Sequence, residues 1–308
     1  MDAIAEIRKR ARARVRKIAL PEYKDKRVLE ALKMIEREKI ADAVLVSPDT
    51  VDKRENERYI EEFYNSRKER GVTVEDARKT FEDPLFYAAM LCRDGKVDGF
   101  VAGAAHTTAD VCRAGLYCVG VDERLRTACS SFIMAMPDNP AVPEGALIYA
   151  DCGLIPDPNP RQLACIAICA AELGGKVLDV TPRVAFLSYS TKGSAKSKMI
   201  DQTVEAVKLF HEMAPDILAD GELQADAALV PEVGKIKCPD SAVAGRANIL
   251  IFPDLEAGNI CYKLTERLAG ARALGPLLMG FKKPCSDLSR GCSAEDVVDC
   301  VAVTSIRS

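Results

Sequence analysis

Short apolar runs alternate along this chain with longer amphipathic stretches, and that alternation predicts an α/β fold. Lys17-Ile18-Ala19-Leu20 is a first apolar run that ends at Pro21-Glu22, and a helical pattern follows from about Arg27 to Glu38. Ala43-Val44-Leu45-Val46 is the next buried run. Strand, helix and strand at this spacing imply a parallel sheet, because a parallel pair needs a crossover long enough to hold a helix. Residues 50–93 are charge-rich and helical in period, with Gly71 and Pro84 as breaks. Asp98 to Gly103 returns as a strand, and Thr107 or Thr108 caps the helix after it.

A second series runs through strand 146–150, helix 160–173, strand 184–190 and helix 194–211. Ala225 to Val230 precedes a polar loop, after which strand 248–252, helix 258–270 and strand 276–280 follow. A last helix opens at Ser293, with Val297, Val298, Val301, Val303 and Ile306 at roughly helical spacing. Between the two series, Pro137-Asp138-Asn139-Pro140-Ala141-Val142-Pro143 shifts to proline and polar residues and reads as a junction. The expectation is therefore two α/β domains with mainly parallel sheets. Residues 1–137 form the first, the C-terminal helix 293–308 packs on it, and residues 138–286 form the second.

Composition narrows the function classes. Of 308 residues, 48% are apolar, which is ample for two cores, and the net charge of −3 gives no global attraction to nucleic acid or acidic membranes. Seven cations fall between Arg8 and Lys17, but Ile4, Ile7, Ala11 and Val15 recur beside them at helical spacing, so a solvated helix face accounts for them. No apolar run reaches membrane-spanning length. Twelve cysteines without a C-x-x-C pair, and only two histidines, give no metal-ligand set. Reduced cysteines acting as small core hydrophobes in a cytoplasmic protein are the simpler reading.

Candidate chemistry gathers in Asp287-Leu288-Ser289-Arg290-Gly291-Cys292-Ser293-Ala294-Glu295-Asp296. Ser293 is placed as an N-cap, and Asp296 at the third helical position completes a capping box. A helix N-terminus favours anions, and Arg290 adds a planar cation suited to phosphate or carboxylate. A well-capped helix with a surface arginine is the plainer account of the same residues. Ser190-Thr191-Lys192-Gly193-Ser194 places a lysine, a glycine and hydroxyls at a strand's carboxyl end, where open α/β sheets bind ligands, although its spacing is not that of a Walker motif. His106 at another strand end is read as a structural hydrogen-bonding residue rather than a base. Asp254 and Glu256 lack a third partner for a metal and are read as loop anchors and caps.

Ser289-Arg290-Gly291-Cys292-Ser293-Ala294-Glu295-Asp296 resembles the C-terminal motif of the phosphate acetyltransferases. Three further blocks resemble the same family: Val101-Ala102-Gly103-Ala104-Ala105-His106-Thr107-Thr108-Ala109-Asp110, Leu187-Ser188-Tyr189-Ser190-Thr191-Lys192-Gly193-Ser194-Ala195-Lys196, and Asp220-Gly221-Glu222-Leu223-Gln224 with Phe252-Pro253-Asp254-Leu255-Glu256-Ala257-Gly258-Asn259. The resemblance implies reversible acetyl transfer between acetyl phosphate and coenzyme A, at a site between two domains. It implies catalytic Ser289, Arg290 and Asp296, and substrate-binding Arg67, Arg113, Arg267, Thr191, Lys192, Gly193 and Ser194. It further implies a cytoplasmic homodimer with small-molecule substrates, no metal and no cofactor beyond coenzyme A as substrate. A phosphate butyryltransferase-like enzyme and a non-catalytic acyl-CoA or acyl-phosphate sensor are the alternatives; an intact Ser-Arg…Asp set argues against the sensor.

Overall fold

The structure is a computed structural model and describes residues 2–136, 139, 142 and 144–308. In chain order it opens with α1 (Ala3–Ala13), β1 (Lys17–Leu20), α2 (Lys26–Glu38), β2 (Asp42–Leu45), α3 (Lys53–Arg67), α4 (Val74–Thr80), α5 (Pro84–Arg93), β3 (Gly99–Ala102) and α6 (Thr108–Ala114). Next come β4 (Cys129–Ala135), β5 (Ala146–Ala150), α7 (Pro160–Leu173), β6 (Arg183–Leu187), α8 (Lys198–Met213), β7 (Leu218–Leu223), α9 (Ala225–Leu229) and α10 (Pro231–Lys237). The chain continues through β8 (Ile249–Ile251), α11 (Leu255–Ala269), β9 (Arg272–Met279), β10 (Cys285–Asp287) and α12 (Ala294–Arg307).

Two compact units result. One takes Ile7–Arg126 and Phe281–Ser308; the other takes Thr127–Gly280 with the residues up to Glu6. A border at residue 137 would assign β4 to the first domain. Its hydrogen bonds go instead to β5 and β9, so it belongs with the second unit. Likewise β10, which begins inside the expected 138–286, pairs with β3 of the first. The proline-rich stretch read as a junction lies largely outside the described residues.

In the first unit β2, β1, β3 and β10 lie side by side and all parallel, with Ile18 opposite both Ala43 and Gly99, and Ser286 opposite Val101. Such strands are buried on both faces and therefore read as continuous apolar runs. Ile18, Ala19, Leu20, Phe100, Val101 and Ala102 are all essentially inaccessible. α12 packs against α2, β3 and β1 with Val297, Val298, Val301 and Val303 buried. That approach is close enough to require a glycine. A Cβ on Gly99 would lie 2.7 Å from the Thr304 methyl and 2.9 Å from the Pro284 carbonyl oxygen.

The second unit has strand order β9-β4-β5-β8-β6-β7. β4 runs antiparallel to both neighbours, while β5, β8, β6 and β7 are mutually parallel. The core gathers Met134, Leu147, Tyr149, Ala185, Leu223, Leu250 and Phe252. Both units are thus α/β, and parallel pairings predominate. Gly71 ends a short 3-10 turn at φ 86°, and Pro84 occupies the first turn of α5, so each expected break is real; Pro84 opens a helix rather than interrupting one.

Candidate active site

The carboxyl ends of β1, β3 and β10 deliver Glu22, the loop 103–107 and the turn Leu288–Cys292 to one edge of the first unit's sheet. Parallel α/β sheets collect ligands at that edge. Glu22, 5% exposed, accepts hydrogen bonds from four successive backbone amides: Gly103 at 3.0 Å, Ala104 at 2.9 Å, Ala105 at 2.7 Å and His106 at 2.9 Å. Successive amides of this kind ordinarily make a nest for an external anion. Here the chain fills it with its own carboxylate. Burial works to raise the pKa of Glu22, but the bonds from His106 and from these amides outweigh it and leave it below the ordinary value.

His106 is held from both sides, Nδ1 at 2.8 Å from Glu22 Oε1 and Nε2 at 3.1 Å from Asp83 Oδ2. Hydrogen bonding to Asp83 and then Glu22 raises its pKa to about 10 against the opposing effect of burial, so at neutral pH it is an imidazolium donating on both nitrogens. The structural role expected of His106 is what this geometry provides. Thr107 caps α6 with Asp110 in a capping box, and Thr108 donates to Asp287 Oδ2 at 2.6 Å. Asp287 is fully buried, burial pushes its carboxyl up to about 7, and its other oxygen is enclosed without a hydrogen-bond partner. Gly103, at φ 116°, passes directly beneath that oxygen, and a Cβ there would overlap it.

The turn that follows β10 carries Ser289 and Arg290 at the surface. It closes through the Cys292 amide on the Ser289 carbonyl at 2.9 Å, with the Gly291 amide on Ser289 Oγ at 3.2 Å. α12 then starts with the expected capping box: Ser293 Oγ accepts from the Asp296 amide, and Asp296 Oδ2 accepts from the Ser293 amide and hydroxyl, each at 2.8 Å. Ser289, Arg290 and Asp296 therefore stand together around one helix entrance. Among the described residues Arg290 makes no ion pair. Cys292 is not a candidate nucleophile: it is buried, and its thiol is pushed up to about 11 by burial, which outweighs the nearby Arg27.

The other sequence-predicted residues divide. Arg67 ends α3 with its guanidinium 3.3 Å from the Tyr117 ring centroid, its Nε buried and unbonded, and no carboxylate paired with it among the described residues. Arg113 lies on α6 and bonds Asp110 at 2.8 Å. Arg267 lies near the end of α11 in the second unit, 80% exposed and 3.7 Å from Glu266. Thr191, Lys192, Gly193 and Ser194 form a closed turn after β6 rather than an open cradle. The amide of Thr191 goes to Ser194 Oγ, that of Lys192 to the Glu222 carbonyl, that of Gly193 to Glu222 Oε1 and that of Ser194 to the Thr191 carbonyl. Lys192 is itself paired with Asp220. α8 begins only at Lys198, capped by Ser197, so the expectation that helix amides open at Ser194 is corrected.

Glu22, Asp83 and Arg27 were not among the candidates read from sequence, and Asp287 stood at the head of the candidate stretch without a role of its own. Glu22 and Asp287 each end a short apolar strand, and a carboxylate at the carboxyl end of a buried parallel strand was the signal available. Among the described residues no group of three or more His, Cys, Asp or Glu stands where it could hold a metal, and no helix is long and apolar enough to cross a membrane.

Comparison with known proteins agrees along the full length. A family model described as "Phosphate acetyl/butaryl transferase" matches residues 2–305. The phosphate acetyltransferase of Acetivibrio thermocellus is 42% identical, with 100% of this chain and 98% of the relative aligned; that of Clostridium acetobutylicum is 43% identical, at 100% and 99%. The crystal structure of a phosphotransacetylase from Streptococcus pyogenes superposes with a TM-score of 0.89 at 36% identity, covering 99% of this chain and 97% of that one. With near-complete coverage on both sides and a motif turn intact at Ser289, Arg290 and Asp296, the chain belongs to the phosphate acetyl/butaryl transferase family.

Proposed function

We infer that this protein is a phosphate acetyltransferase: it moves an acetyl group between acetyl phosphate and the thiol of coenzyme A. In that reaction the thiolate sulfur attacks the acetyl carbonyl, a tetrahedral oxyanion forms, and phosphate leaves with the electron pair of the broken C–O bond. The observation that carries the reading is the turn at the entrance of α12. It holds an exposed guanidinium with no acidic partner among the described residues, beside a serine hydroxyl and a helix N-terminus, all suited to a phosphoryl group.

Arg290 binds the phosphoryl oxygens and offsets charge on the developing tetrahedral centre; Ser289 donates to that centre. Asp296 accepts or orients the thiol proton, which matters because a thiol of pKa about 8.5 is only a few per cent ionised at neutral pH. Arg67, stacked on Tyr117, has no carboxylate partner among the described residues and so is suited to an incoming anion. Arg113, Arg267 and Lys192 are each suited to a substrate phosphate, Lys192 by exchanging Asp220 for it. The mixed anhydride already has a good leaving group, so coenzyme A acts as a substrate and the reaction needs neither metal nor resident cofactor.

A cytoplasmic homodimer is part of the same proposal. Twelve free cysteines, eleven of them buried, suit a reducing compartment. Ile260, Leu264 and Leu268 are 58%, 51% and 82% exposed along one stripe of α11, which suits a second copy of the chain. The test mixes purified protein and chelator with coenzyme A and acetyl, propionyl or butyryl phosphate, and follows thioester formation by its ultraviolet absorbance. Acetyl phosphate turning over fastest is expected. A butyryl preference would move the chain to the longer-chain branch of its family, and no turnover with any of the three would overturn the reading.

A further inference from the structure

Arg27, in the first turn of α2, is engaged at every donor it has. A guanidinium offers five N–H groups. Nε and Nη2 take the Asp25 carboxylate at 3.0 and 2.7 Å. The second Nη2 hydrogen goes to the Ala104 carbonyl at 2.6 Å, and Nη1 spans the Arg290 carbonyl at 2.7 Å and the Cys292 carbonyl at 3.1 Å. Five donors meet five oxygen contacts, and Nη1 also lies 3.7 Å from Cys292 Sγ. The charge is also answered within the protein, since the bond to Arg27 is the main reason Asp25 lies below its ordinary value. Arg27 therefore has no N–H left with which to bind a phosphate.

Its acceptors lie on three segments far apart in sequence: the N-cap of α2, the loop after β3 and the turn after β10. The turn's own bonds, from the Cys292 amide to the Ser289 carbonyl and from the Gly291 amide to Ser289 Oγ, close it on itself, whereas Arg27 ties it to other segments. Leu288 and Cys292 are buried at its two ends, while Ser289, Arg290 and Gly291 are exposed between them. The carbonyls that Arg27 holds belong to Arg290 itself and to the residue that precedes the cap of α12. We propose that Arg27 is a positioning residue for acyl transfer, fixing the Ser289–Cys292 turn against the loop after β3 so that the Ser289 hydroxyl and the Arg290 guanidinium are held in place. This rests on the catalytic reading of that turn.

Lysine is the informative replacement. It keeps the charge, but its three donors radiate from a single nitrogen and cannot bridge carbonyls on two loops while also chelating Asp25. Displacing reacting groups by about 1 Å costs on the order of a hundredfold in rate. For Arg27→Lys we expect kcat to fall by roughly 10–100-fold, while KM for coenzyme A and for acetyl phosphate each stay within about threefold, because the lost interaction serves the transition state more than ground-state binding. Arg27→Ala should recover rate when ethylguanidinium is added, which a general loss of stability would not do. Because Arg27 acts through the turn, the Arg27→Lys, Arg290→Ala double variant should be little slower than Arg290→Ala alone.

The parent, Arg27→Lys, Arg27→Ala, Arg290→Ala and the double variant are assayed together, with melting temperatures. A near-parent kcat in Arg27→Lys beside a crippled Arg290→Ala overturns this proposal alone. A raised KM with unchanged kcat would make Arg27 a substrate ligand and also overturns it, as would fully multiplicative losses. A fully active Arg290→Ala removes the catalytic role of the turn, and this proposal with it. If Arg27→Ala does not fold, Arg27→Lys and the double variant decide the matter.

Discussion

Replacing Glu22 by glutamine tests how far the edge of the first sheet depends on one buried charge. In the parent, Oε1 accepts from the amides of Gly103, Ala105 and His106 and from the His106 ring, while Oε2 accepts from Ala104 at 2.9 Å. Glutamine can keep the Oε1 contacts, but its NH2 group must then face the Ala104 N–H. One buried donor is orphaned, at about 1–3 kcal/mol, and the remaining bonds lose their charge assistance. Loss of one partner from a buried ion pair typically costs about 3–5 kcal/mol, and the two estimates together place Glu22→Gln in that range. At roughly 2–4 °C per kcal/mol for a unit of this size, the melting temperature should fall by about 6–20 °C. The pair also has a pH window. His106, raised from 6.5 to about 10, contributes fully below 6.5 and loses its contribution as pH rises through about 10. Glu22, lowered from 4.5, contributes above that value and loses it as pH falls through its folded value. The gap in melting temperature between parent and variant should therefore be widest between about pH 4.5 and 6.5 and narrow toward pH 10. Calorimetric scans of both proteins across that range supply the measurement. A variant melting within about 2 °C of the parent at pH 6, or a gap that widens toward pH 10, would refute the reasoning.

Asp296 both caps α12 and is proposed for the chemical step, and two substitutions separate these roles. If it handles the thiol proton, Asp296→Asn loses roughly 10²–10⁴-fold in kcat while melting only a few degrees lower, and Asp296→Glu is impaired as well; a destabilised Asp296→Asn with near-normal kcat would reduce it to a cap. Arg113→Ala should raise KM for coenzyme A well beyond that for acetyl phosphate, and equal effects in steady-state assays would remove it from the site. Cys292→Ala should keep turnover, with intersecting initial-velocity patterns, because a thiol held near 11 carries no acyl group; parallel lines and a trapped acetyl-Cys292 would contradict that.

Where side chains announced their own environment, the sequence was legible. Strand 146–150 and helix 160–173 match their expected bounds, because the first is an uninterrupted apolar run and the second starts at Asn159-Pro160, with Asn159 as its cap and Gln162 as the cap's partner. The capping box of Ser293 and Asp296 was readable for the same reason. β7 and β10 were missed: Leu-Ala-Asp-Gly-Glu-Leu and Cys-Ser-Asp carry polar residues into strands whose partners, β6 and β3, lie far away in sequence. β4 was missed because its run opens on the polar pair Ser130-Ser131, although the proline-rich stretch from Pro137 marks its far end. The candidate site was half legible. Ser289, Arg290 and Asp296 lie in one local motif, whereas Arg27, Glu22 and Asp83 act across 263, 81 and 23 residues of separation respectively, where no local pattern reaches.

Assigning Phe281–Ser308 to the first unit has a consequence for synthesis on the ribosome. Until residues 281–308 emerge, the edge of β3 that β10 will occupy has no partner, and the face that α12 covers stays open. The intervening segment from Thr127 to Gly280 contains a complete set of strands for its own sheet and can fold while the earlier part waits. The nascent first unit thus carries an unprotected strand edge from the emergence of β3 until that of β10, a recognised route to misassociation. On the proposed reading, the turn at Ser289 and Arg290 arrives with that same segment, so activity would appear in the step that closes the edge.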